Sequence, residues 1–146
     1  MYLLDTNILS ELRKPRRNLH VVEWIGAATS DRLYLSVITI GEIAKGVAKQ
    51  RGAGTPQANA HADALQAWLE GLLAEYGGRI VPVDVPIATR WGRLCDAHPQ
   101  FPTDMLIAAT ALDRGLTVAT RNVDHFRPSG VPVFNPFVGT SGYFPR

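Results

Sequence analysis

The chain has 146 residues, of which 46% are hydrophobic and 19% charged, and its formal net charge is +2. This length suits one compact domain that buries about 70% of the surface exposed by its unfolded form, and the composition excludes intrinsic disorder. The single cysteine, Cys95, excludes an internal disulfide and a zinc site built from several thiolates, while the small net charge neither requires nor excludes a nucleic-acid partner.

Strands and helices alternate along the chain. Periodic apolar residues, with glycine and proline at the breaks, predict these elements in chain order: strand 2–4, helices 7–13 and 18–28, strand 33–37, helices 39–51 and 57–76, strand 79–83, helices 86–97 and 103–114, and strands 116–120 and 131–134. The alternation predicts an α/β fold of three layers (α/β/α), in which helices cover both faces of a central, mostly parallel sheet of four to five strands.

The two ends of the chain suggest one domain and a short tail. We expect the domain to cover residues 1–137, and residues 138–146, which are small and polar apart from Tyr143 and Phe144, to be either disordered or laid along the surface. The first residues lack a basic leader, and the longest apolar run, 105–112, is far shorter than the ~20 residues that span a bilayer. We therefore expect a cytoplasmic protein without a membrane anchor.

Three carboxylates stand in apolar surroundings. Asp5 follows a predicted buried strand, Glu42 lies among apolar residues of helix 39–51, and Asp104 opens an apolar helix. Burying an ionised carboxylate without a partner costs several kcal/mol, so such residues are usually paired or metal-bound. Most other acidic residues fit exposed helix faces and need no function: Glu11, Glu23, Asp31, Asp63, Glu70, Glu75, Asp96 and Asp113.

Each of the three carboxylates also has a purely structural interpretation. Asp5 can cap the helix that follows it, and Asp104 can stabilise the positive end of its own helix dipole. Thr39 and Glu42 have the S/T-x-x-E spacing of a capping box. At ~100° per residue, Glu42 also falls away from the apolar side of its helix, which argues against a buried role.

The order of the predicted elements favours a shared crevice. The helix that begins near Asp104 is apolar all round in its first two turns, so it must be a central one. In an open parallel sheet, sites form beyond the carboxyl ends of the strands, and Asp5 and Asn122 both lie at or just past such ends. Asp124 follows two residues later. An acid-and-amide set from distant parts of the chain can therefore gather there.

Basic side chains form two clusters, which are either solvated faces or phosphate contacts. The clusters are Arg13, Lys14, Arg16 and Arg17 after the first helix, and Lys45, Lys49 and Arg51 at helical spacing in a later one. Arg121 adjoins Asn122, so phosphates could be held beside the acidic crevice.

The histidines show no metal-ligand spacing and are interpreted as surface or loop residues: His20, His61, His98 and His125. The tryptophans lie on apolar helix faces and are predicted to be core residues: Trp24, Trp68 and Trp91.

Four segments, in order, resemble the signature blocks of PIN-domain toxins of the VapC and FitB type. They are Tyr-Leu-Leu-Asp5-Thr6-Asn7-Ile-Leu-Ser-Glu-Leu, Leu-Ser-Val-Ile-Thr-Ile-Gly-Glu42-Ile, Pro-Thr103-Asp104-Met-Leu-Ile-Ala-Ala-Thr-Ala-Leu and Leu-Thr-Val-Ala-Thr120-Arg121-Asn122-Val. The closing Val-Phe-Asn-Pro-Phe is also similar to that family. Any one block is weak evidence, whereas the four together identify the chain as a member of the family.

The resemblance implies a metal-dependent endoribonuclease with a metal site built by Asp5, Glu42 and Asp104. The fourth position is Asp in many relatives and Asn122 here, which leaves open whether Asn122 or Asp124 faces the metal. The implied cofactor is Mg²⁺, for which Mn²⁺ can substitute, because both ions prefer hard oxygen ligands. Hydrolysis would leave a 5′-phosphate and a 3′-hydroxyl.

Residues near the implied site suggest further roles. Thr6 and Thr120 are candidates to orient water or ligands through their hydroxyls, or else they bond only to turn backbone. The RNA-binding candidates are Arg13, Lys14, Arg16, Arg17 and Arg121. Family behaviour implies a homodimer and a small antitoxin that blocks the acidic crevice with a basic side chain.

Three other functions compete with a toxin nuclease. A phosphotransfer domain would also keep an Asp after its first strand, but Thr6 and Asn7 follow Asp5, so the second Asp of a D-x-D pair is missing, and Arg121 stands where a catalytic Lys would be sought. A binding module with the fold but without catalysis is suggested by Asn122. A PIN nuclease that matures RNA is a third alternative.

Overall fold

The computed structural model of the protein describes residues 1–141 and 143–144. Within these residues, six strands form one sheet: β1 (Tyr2–Leu4), β2 (Leu33–Ser36), β3 (Ile80–Val81), β4 (Thr117–Ala119), β5 (Val133–Phe134) and β6 (Tyr143–Phe144). In the same ranges, seven α-helices accompany them: α1 (Thr6–Leu12), α2 (Leu19–Ala27), α3 (Val37–Gly52), α4 (Pro56–Tyr76), α5 (Val85–Ala97), α6 (Pro102–Arg114) and α7 (Val123–Phe126). The predicted elements are all present, whereas α7 and β6 were not predicted.

The sheet has the strand order β3-β2-β1-β4-β5-β6. Strands β1 to β5 pair in parallel, and only β6 runs antiparallel, against β5. The predicted mostly parallel sheet is confirmed, with one more strand at its edge than expected. Because β1 lies between β2 and β4, residues that follow these three strands meet at the same edge of the sheet.

Helices cover both faces of the sheet, as predicted. Leu3 and Leu4 of β1 point to opposite faces, because successive side chains of a strand alternate, and both are fully buried. One apolar cluster contains Leu3 with residues of α5, α6 and α7, and the other contains Leu4 with residues of α1, α2, α3 and α4. The result is the three-layer architecture that the alternation predicts.

Helix α6 is the central helix that its apolar sequence predicts. Ile107, Ala108, Ala109 and Ala111 are all at most 1% exposed. Pro102 occupies the first position, where its missing N–H costs no hydrogen bond. At the other end, Gly115 adopts a left-handed conformation and ends the helix. Asp104 therefore lies in the first turn of a helix whose body is fixed inside the core.

The expected capping box at Thr39 and Glu42 is wrong. Helix α3 begins at Val37, because the hydroxyl of Ser36 caps it by accepting a 3.1 Å hydrogen bond from the amide of Ile38. Thr39 lies inside the first turn and is fully buried, and its Oγ1 has no hydrogen-bond partner among the described residues. Glu42 is exposed one turn further along α3, so no cap accounts for it.

The end of the chain lies against α2 and β5. Residues Pro136–Ser141 form a kinked 3₁₀ segment, in which Gly139 has a φ of +71° and lies so close to His20 that a Cβ atom would stand 3.4 Å from its ring. Strand β6 then pairs with β5. The expected disorder of residues 142, 145 and 146 lies outside the described residues, and the domain boundary at 137 stays a prediction.

None of the helices in the described ranges is both long and apolar enough to cross a bilayer.

Candidate active site at the carboxyl edge of the sheet

Asp5 lies directly after β1 and is 5% exposed. It caps α1, since its Oδ1 accepts a 2.7 Å hydrogen bond from the amide of Thr6. Its Oδ2 accepts two more hydrogen bonds, at 2.7 Å from Asn7 Nδ2 and at 2.6 Å from Thr120 Oγ1. The predicted cap is therefore present, but a cap alone does not need three donors from two distant parts of the chain.

Thr120 lies directly after β4 and is fully buried. Besides donating to Asp5, its hydroxyl oxygen accepts hydrogen bonds of 3.0 Å from Asn7 Nδ2 and 3.0 Å from the amide of Asn122. Asn7 in turn accepts a 3.2 Å bond at Oδ1 from the amide of Arg121. Asn7 was not predicted as a site residue, although its position two residues after Asp5, at a strand end, is a signal that could have indicated it.

Glu42 and Asp104 approach Asp5 from two other elements. Thr6 Oγ1 donates a hydrogen bond to Glu42 Oε2, which connects α1 to α3. Asp104, whose side chain is 22% exposed, reaches the same region from the start of α6, and its Oδ2 lies 2.8 Å from His125 Nδ1. The structure thus brings together the three carboxylates that the sequence singled out.

The surroundings of Asp5 oppose its ionisation. Burial is the largest cause, and the negative charges of Asp104 and Glu42 add to it, so that the pKa of Asp5 is raised from 3.8 to about 6 despite the hydrogen bonds from Thr120 and the Thr6 amide. No Lys, Arg or His forms an ion pair with Asp5 or Glu42 in the described ranges. Asp5 and Glu42 therefore have no paired cation in the described part of the chain, whereas Asp104 contacts His125.

The carboxylates do not form a closed metal cage. In the described part of the chain, no three Asp, Glu, His or Cys side chains are grouped closely enough to hold a metal ion as they stand. The chemistry of the donors nevertheless fits a hard divalent cation, because the site offers carboxylate oxygens and Asp5 accepts bonds only from neutral donors. One ion could contact all three carboxylates only after their side chains move closer together.

Asn122 and Asp124 lie beside the carboxylates rather than among them. Both are exposed, and neither side chain is hydrogen-bonded to Asp5, Glu42 or Asp104 in the described structure. Asp124 faces Arg127 at 3.7 Å. The two residues line a polar cavity of about 440 Å³ together with Arg121, Val123, His125, Arg127 and Asn135. The choice between Asn122 and Asp124 as the fourth ligand stays open.

His125 lies at the surface, as the sequence predicts, with 41% of its side chain exposed, but it also contacts the site. Its ring stacks on Phe101, with centroids 4.2 Å apart and an interplanar angle of 19°, in addition to its bond with Asp104. It lies in α7, a helix of four residues, which is too short to show any periodicity in the sequence. A polar residue three positions after Asn122 is the only signal that could have indicated it.

The basic loop between α1 and α2 is shaped by Glu11, which was predicted to be exposed but is 5% exposed. Its Oε2 pairs with Lys14 Nζ at 2.6 Å and its Oε1 accepts a 2.9 Å bond from the amide of Asn18. These bonds, with a smaller effect of the Arg121 charge, lower the pKa of Glu11. Of the predicted RNA-binding residues, Lys14 is therefore engaged within the loop.

The remaining predicted RNA-binding residues are exposed at this end of the molecule. Arg13 places its guanidinium 4.6 Å from the ring centroid of Trp68, and Arg121 lies 5.1 Å from that of Phe137. Arg16 and Arg17 form no ion pair with the described residues. The loop follows the far end of α1, whose first turn borders the site, so Arg13, Arg16 and Arg17 lie one short helix away from Asp5, whereas Arg121 adjoins Asn122.

A larger cavity, of about 560 Å³, lies away from the carboxylates. It is mostly apolar and is lined by His20, Glu23, Trp24, Phe134, Pro136, Val138 and Gly139. The clustered carboxylates, not the size of the cavity, identify the candidate site.

The tryptophans are partly buried against the two apolar clusters, which agrees with their predicted core role.

Comparison with known proteins identifies the same family that the four sequence blocks resemble. Residues 2–130 match the family model of the PIN domain. The chain is 36% identical over 142 residues to Toxin FitB of Neisseria gonorrhoeae, covering 94% of this chain and 99% of that protein. It is 34% identical to VapC ribonuclease Y4jK of Sinorhizobium fredii, covering 94% and 98%.

Solved structures agree with the family model. The crystal structure of FitAcB from Neisseria gonorrhoeae superposes with a TM-score of 0.80 at 36% identity, covering 94% of this chain and 99% of that one. A toxin–antitoxin complex from Klebsiella pneumoniae has a TM-score of 0.67 at 25% identity, covering 93% and 98%. The family model matches most of the chain, and both the fold and the four sequence blocks agree with it. The chain therefore belongs to the PIN domain family.

Proposed function

We propose that the chain is a metal-dependent endoribonuclease that acts as the toxin of a toxin–antitoxin pair. The observation that carries this proposal is the approach of Glu42, from α3, and Asp104, from α6, to the buried carboxylate of Asp5 after β1, whose pKa they help to raise. Perturbed, clustered carboxylates in a crevice are typical of functional sites. The relatives named as a toxin and as a ribonuclease support the same activity.

The proposed cofactor is Mg²⁺, with Mn²⁺ as a substitute. Asp5, Glu42 and Asp104 would hold the ion, with Asn122 or Asp124 as a further contact. When bound, such an ion activates water and polarises the phosphoryl group for hydrolysis. It would also favour the ionised form of Asp5, which the protein alone disfavours.

The chain's own residues then perform the positioning. Thr120 and Asn7 fix Oδ2 of Asp5, which orients this carboxylate from two sides. Thr6 holds Glu42 from the first turn of α1. These bonds go to side chains that we propose hold the ion, and not merely to turn backbone, which favours the supporting role that was expected for both threonines. Arg121, next to Asn122, is placed to contact a phosphate of the substrate.

RNA is the proposed substrate because one relative is named as a ribonuclease and exposed cations lie one short helix away from Asp5. Arg13, Arg16 and Arg17 extend from the loop after α1, and Lys14 is the weakest candidate because it already pairs with Glu11. Contacts of this kind bind phosphates without reading sequence, so they fit an enzyme that requires a further element for specificity.

The proposed protein partner is a small antitoxin. A crevice in which Asp5 and Glu42 have no paired cation among the described residues is a suitable site for a basic side chain from such a partner. The toxin–antitoxin complex among the structural neighbours supports this partner. We further propose that the toxin forms a homodimer and acts in the cytoplasm, where its RNA substrate and the antitoxin are found.

The decisive experiment incubates the purified protein with total RNA in the presence of Mg²⁺, of Mn²⁺ or of a chelator. Wild-type protein should release discrete fragments only when a divalent ion is present. Asp104→Asn should abolish this cleavage, because it removes a charged ligand while keeping the shape of the side chain. Asp96→Asn is the matched control, since Asp96 is exposed on α5 and carries the same substitution.

Two results would contradict the proposal. Cleavage that persists in chelator would indicate a mechanism without a divalent ion. Equal loss of activity in Asp96→Asn and Asp104→Asn would show that the loss at residue 104 is not specific to the site.

A further inference from the structure

His125 is the only histidine of the described residues that contacts one of the three carboxylates. Its Nδ1 lies 2.8 Å from Asp104 Oδ2, and with Asp104 ionised this nitrogen must carry the hydrogen of the bond. A hydrogen bond to an ionised acceptor is stronger than one between neutral groups. The bond therefore restrains the carboxylate of Asp104.

The imidazole is itself held in place. Its ring stacks on Phe101 at 4.2 Å, and Phe101 immediately precedes α6, the helix that carries Asp104. The same short segment therefore fixes both the acceptor and the plane of the donor ring. An imidazole that served only solubility would not need a stacking partner and a carboxylate at once.

The bond engages one oxygen of Asp104 and leaves the other. Oδ1 accepts no hydrogen bond from the described residues, while the charge of Asp104 is felt by Asp5. Carboxylates that bind metal ions commonly have their other oxygen fixed by a hydrogen bond, and this restraint improves both affinity and geometry.

We propose that His125 is a positioning residue: it holds Oδ2 of Asp104 so that Oδ1 is presented to the divalent ion shared with Asp5. This inference rests on the proposed function, because it assigns Asp104 to the metal site. The contact joins the segment just after the fourth sequence block to Asp104 of the third block, through a side chain that belongs to neither block.

The opposite role would be a latch, in which His125 occupies Asp104 and competes with the ion. The two roles predict effects of opposite sign on metal affinity. If His125 positions Asp104, its removal weakens binding of the ion, and if it competes, its removal strengthens binding.

The test measures Mn²⁺ affinity by isothermal titration calorimetry for wild type, His125→Ala and His125→Asn. The amide nitrogen of Asn stands at the same bond distance from the backbone as His Nδ1, so this variant can restore the hydrogen bond. We expect His125→Ala to weaken Mn²⁺ binding by about 10- to 100-fold. We expect His125→Asn to recover most of that loss. RNA cleavage as a function of Mn²⁺ concentration should shift to higher concentrations in the same order.

Two further variants make the result specific. Phe101→Leu leaves the imidazole in place without its stacking partner and should weaken Mn²⁺ binding by a smaller factor than His125→Ala. It also provides the measurement if His125→Ala does not fold, which a melting curve would reveal. His61→Ala is the matched control, because His61 is exposed on α4, and its affinity should equal that of wild type.

The outcomes separate this inference from the proposed function. Wild-type protein that binds no Mn²⁺ and cleaves no RNA would overturn both. Wild type that does both, with His125→Ala of equal affinity, would overturn the inference alone. Tighter binding by His125→Ala would also overturn it and establish the latch.

Discussion

The hydroxyl of Thr120 donates a 2.6 Å hydrogen bond to Oδ2 of Asp5 across 115 positions of sequence. Parallel pairing of β1 with β4 produces this contact, because the two residues follow the paired positions Leu4 and Ala119. The same hydroxyl oxygen accepts from Asn7 and Asn122, so its donor and both of its lone pairs are used. The sheet register thus determines the environment of the central carboxylate.

Thr120→Val should destabilise the protein by about 1–3 kcal/mol, because it keeps the shape of the side chain but removes a donor to the buried carboxylate of Asp5 and the acceptor of the Asn122 amide. It should also raise the pKa of Asp5 further, since the Thr120 bond is one of the interactions that lower it. Urea unfolding of wild type, Thr120→Val and Thr120→Ser checks the prediction. Thr120→Ser keeps the hydroxyl and should remain close to wild type. Equal losses for both variants would attribute the effect to packing.

Asp5 makes the metal-free protein less stable as the pH rises. Its pKa is about 6 in the folded protein against an ordinary 3.8, so the folded state binds the proton more tightly between these values. The contribution of Asp5 is therefore most favourable below pH 3.8, falls through the interval and is fully lost above pH 6. A shift of this size corresponds to about 3 kcal/mol.

Asp5→Asn should remove this pH dependence. In chelator, the free energy of unfolding of Asp5→Asn relative to wild type should increase by up to about 3 kcal/mol between acid and neutral pH. Denaturant-induced unfolding at several pH values measures this difference in free energy. The contributions of all other titratable groups are the same in both proteins and therefore cancel. A difference that stays constant with pH would contradict the raised pKa of Asp5.

A divalent ion should reverse the cost of ionising Asp5. Mg²⁺ or Mn²⁺ at about 100 times its dissociation constant should stabilise wild type by about 2.7 kcal/mol. The stabilisation should be larger at about pH 7.5 than at about pH 5, because the ion must displace a proton from Asp5. Thermal melting with and without the ion tests this expectation. Asp96→Asn should respond like wild type, and an equal response of Asp5→Asn would place the ion elsewhere.

Glu11 should stabilise the loop before α2 only when it is ionised. Its pKa is lowered from an ordinary 4.5, first by the bond from Lys14 and then by the Asn18 amide, so its contribution is present above pH 4.5 and is lost as the pH falls through the lowered value. Glu11→Gln should therefore lower the melting temperature at neutral pH and approach wild type in acid. Glu23→Gln, exposed on α2, is the control. A gap that persists at low pH would indicate lost packing.

Much of the site could be predicted because strand ends are visible in the sequence. Asp5 follows an apolar run that forms β1, and Asp104 opens a helix too apolar to lie anywhere but the core. In a parallel sheet, these positions converge whatever the details of packing. The order of the elements therefore predicts that Asp5 and Asp104 approach one edge of the sheet, whereas Glu42 was assigned to the site by the family resemblance.

The rest of the site depends on contacts without a local pattern. Asn7 meets Thr120 only through strand register, and His125 meets Asp104 from a helix of one turn. Glu11 fits an exposed helix face by periodicity but is covered by the loop that turns back at Asn18. Side chains at element ends are positioned by tertiary structure, which periodicity does not encode.

The exposed arginines of the loop after α1 should contribute to RNA binding through phosphate interactions alone. Arg16→Ala with Arg17→Ala, made in Asp104→Asn to prevent cleavage, should weaken binding of unrelated RNA sequences by similar factors. Each phosphate-binding cation that is removed should reduce the slope of log affinity against log salt by about one unit, so the double variant should lose up to about two units. Fluorescence anisotropy with labelled RNA, at salt concentrations from roughly 50 to 200 mM, measures both the affinity and the slope.

Arg90→Ala with Arg93→Ala is the matched control for the loop. Both arginines are exposed on α5 and line a separate cavity with Val85 and Asp113. Removing two positive charges there changes the net charge by the same amount, so a general electrostatic effect would weaken RNA binding equally in both pairs. A reduced salt slope only for Arg16 and Arg17 would assign the phosphate interactions to the basic loop after α1. Equal slopes in both double variants would instead show that RNA is attracted by net charge and does not lie along this loop.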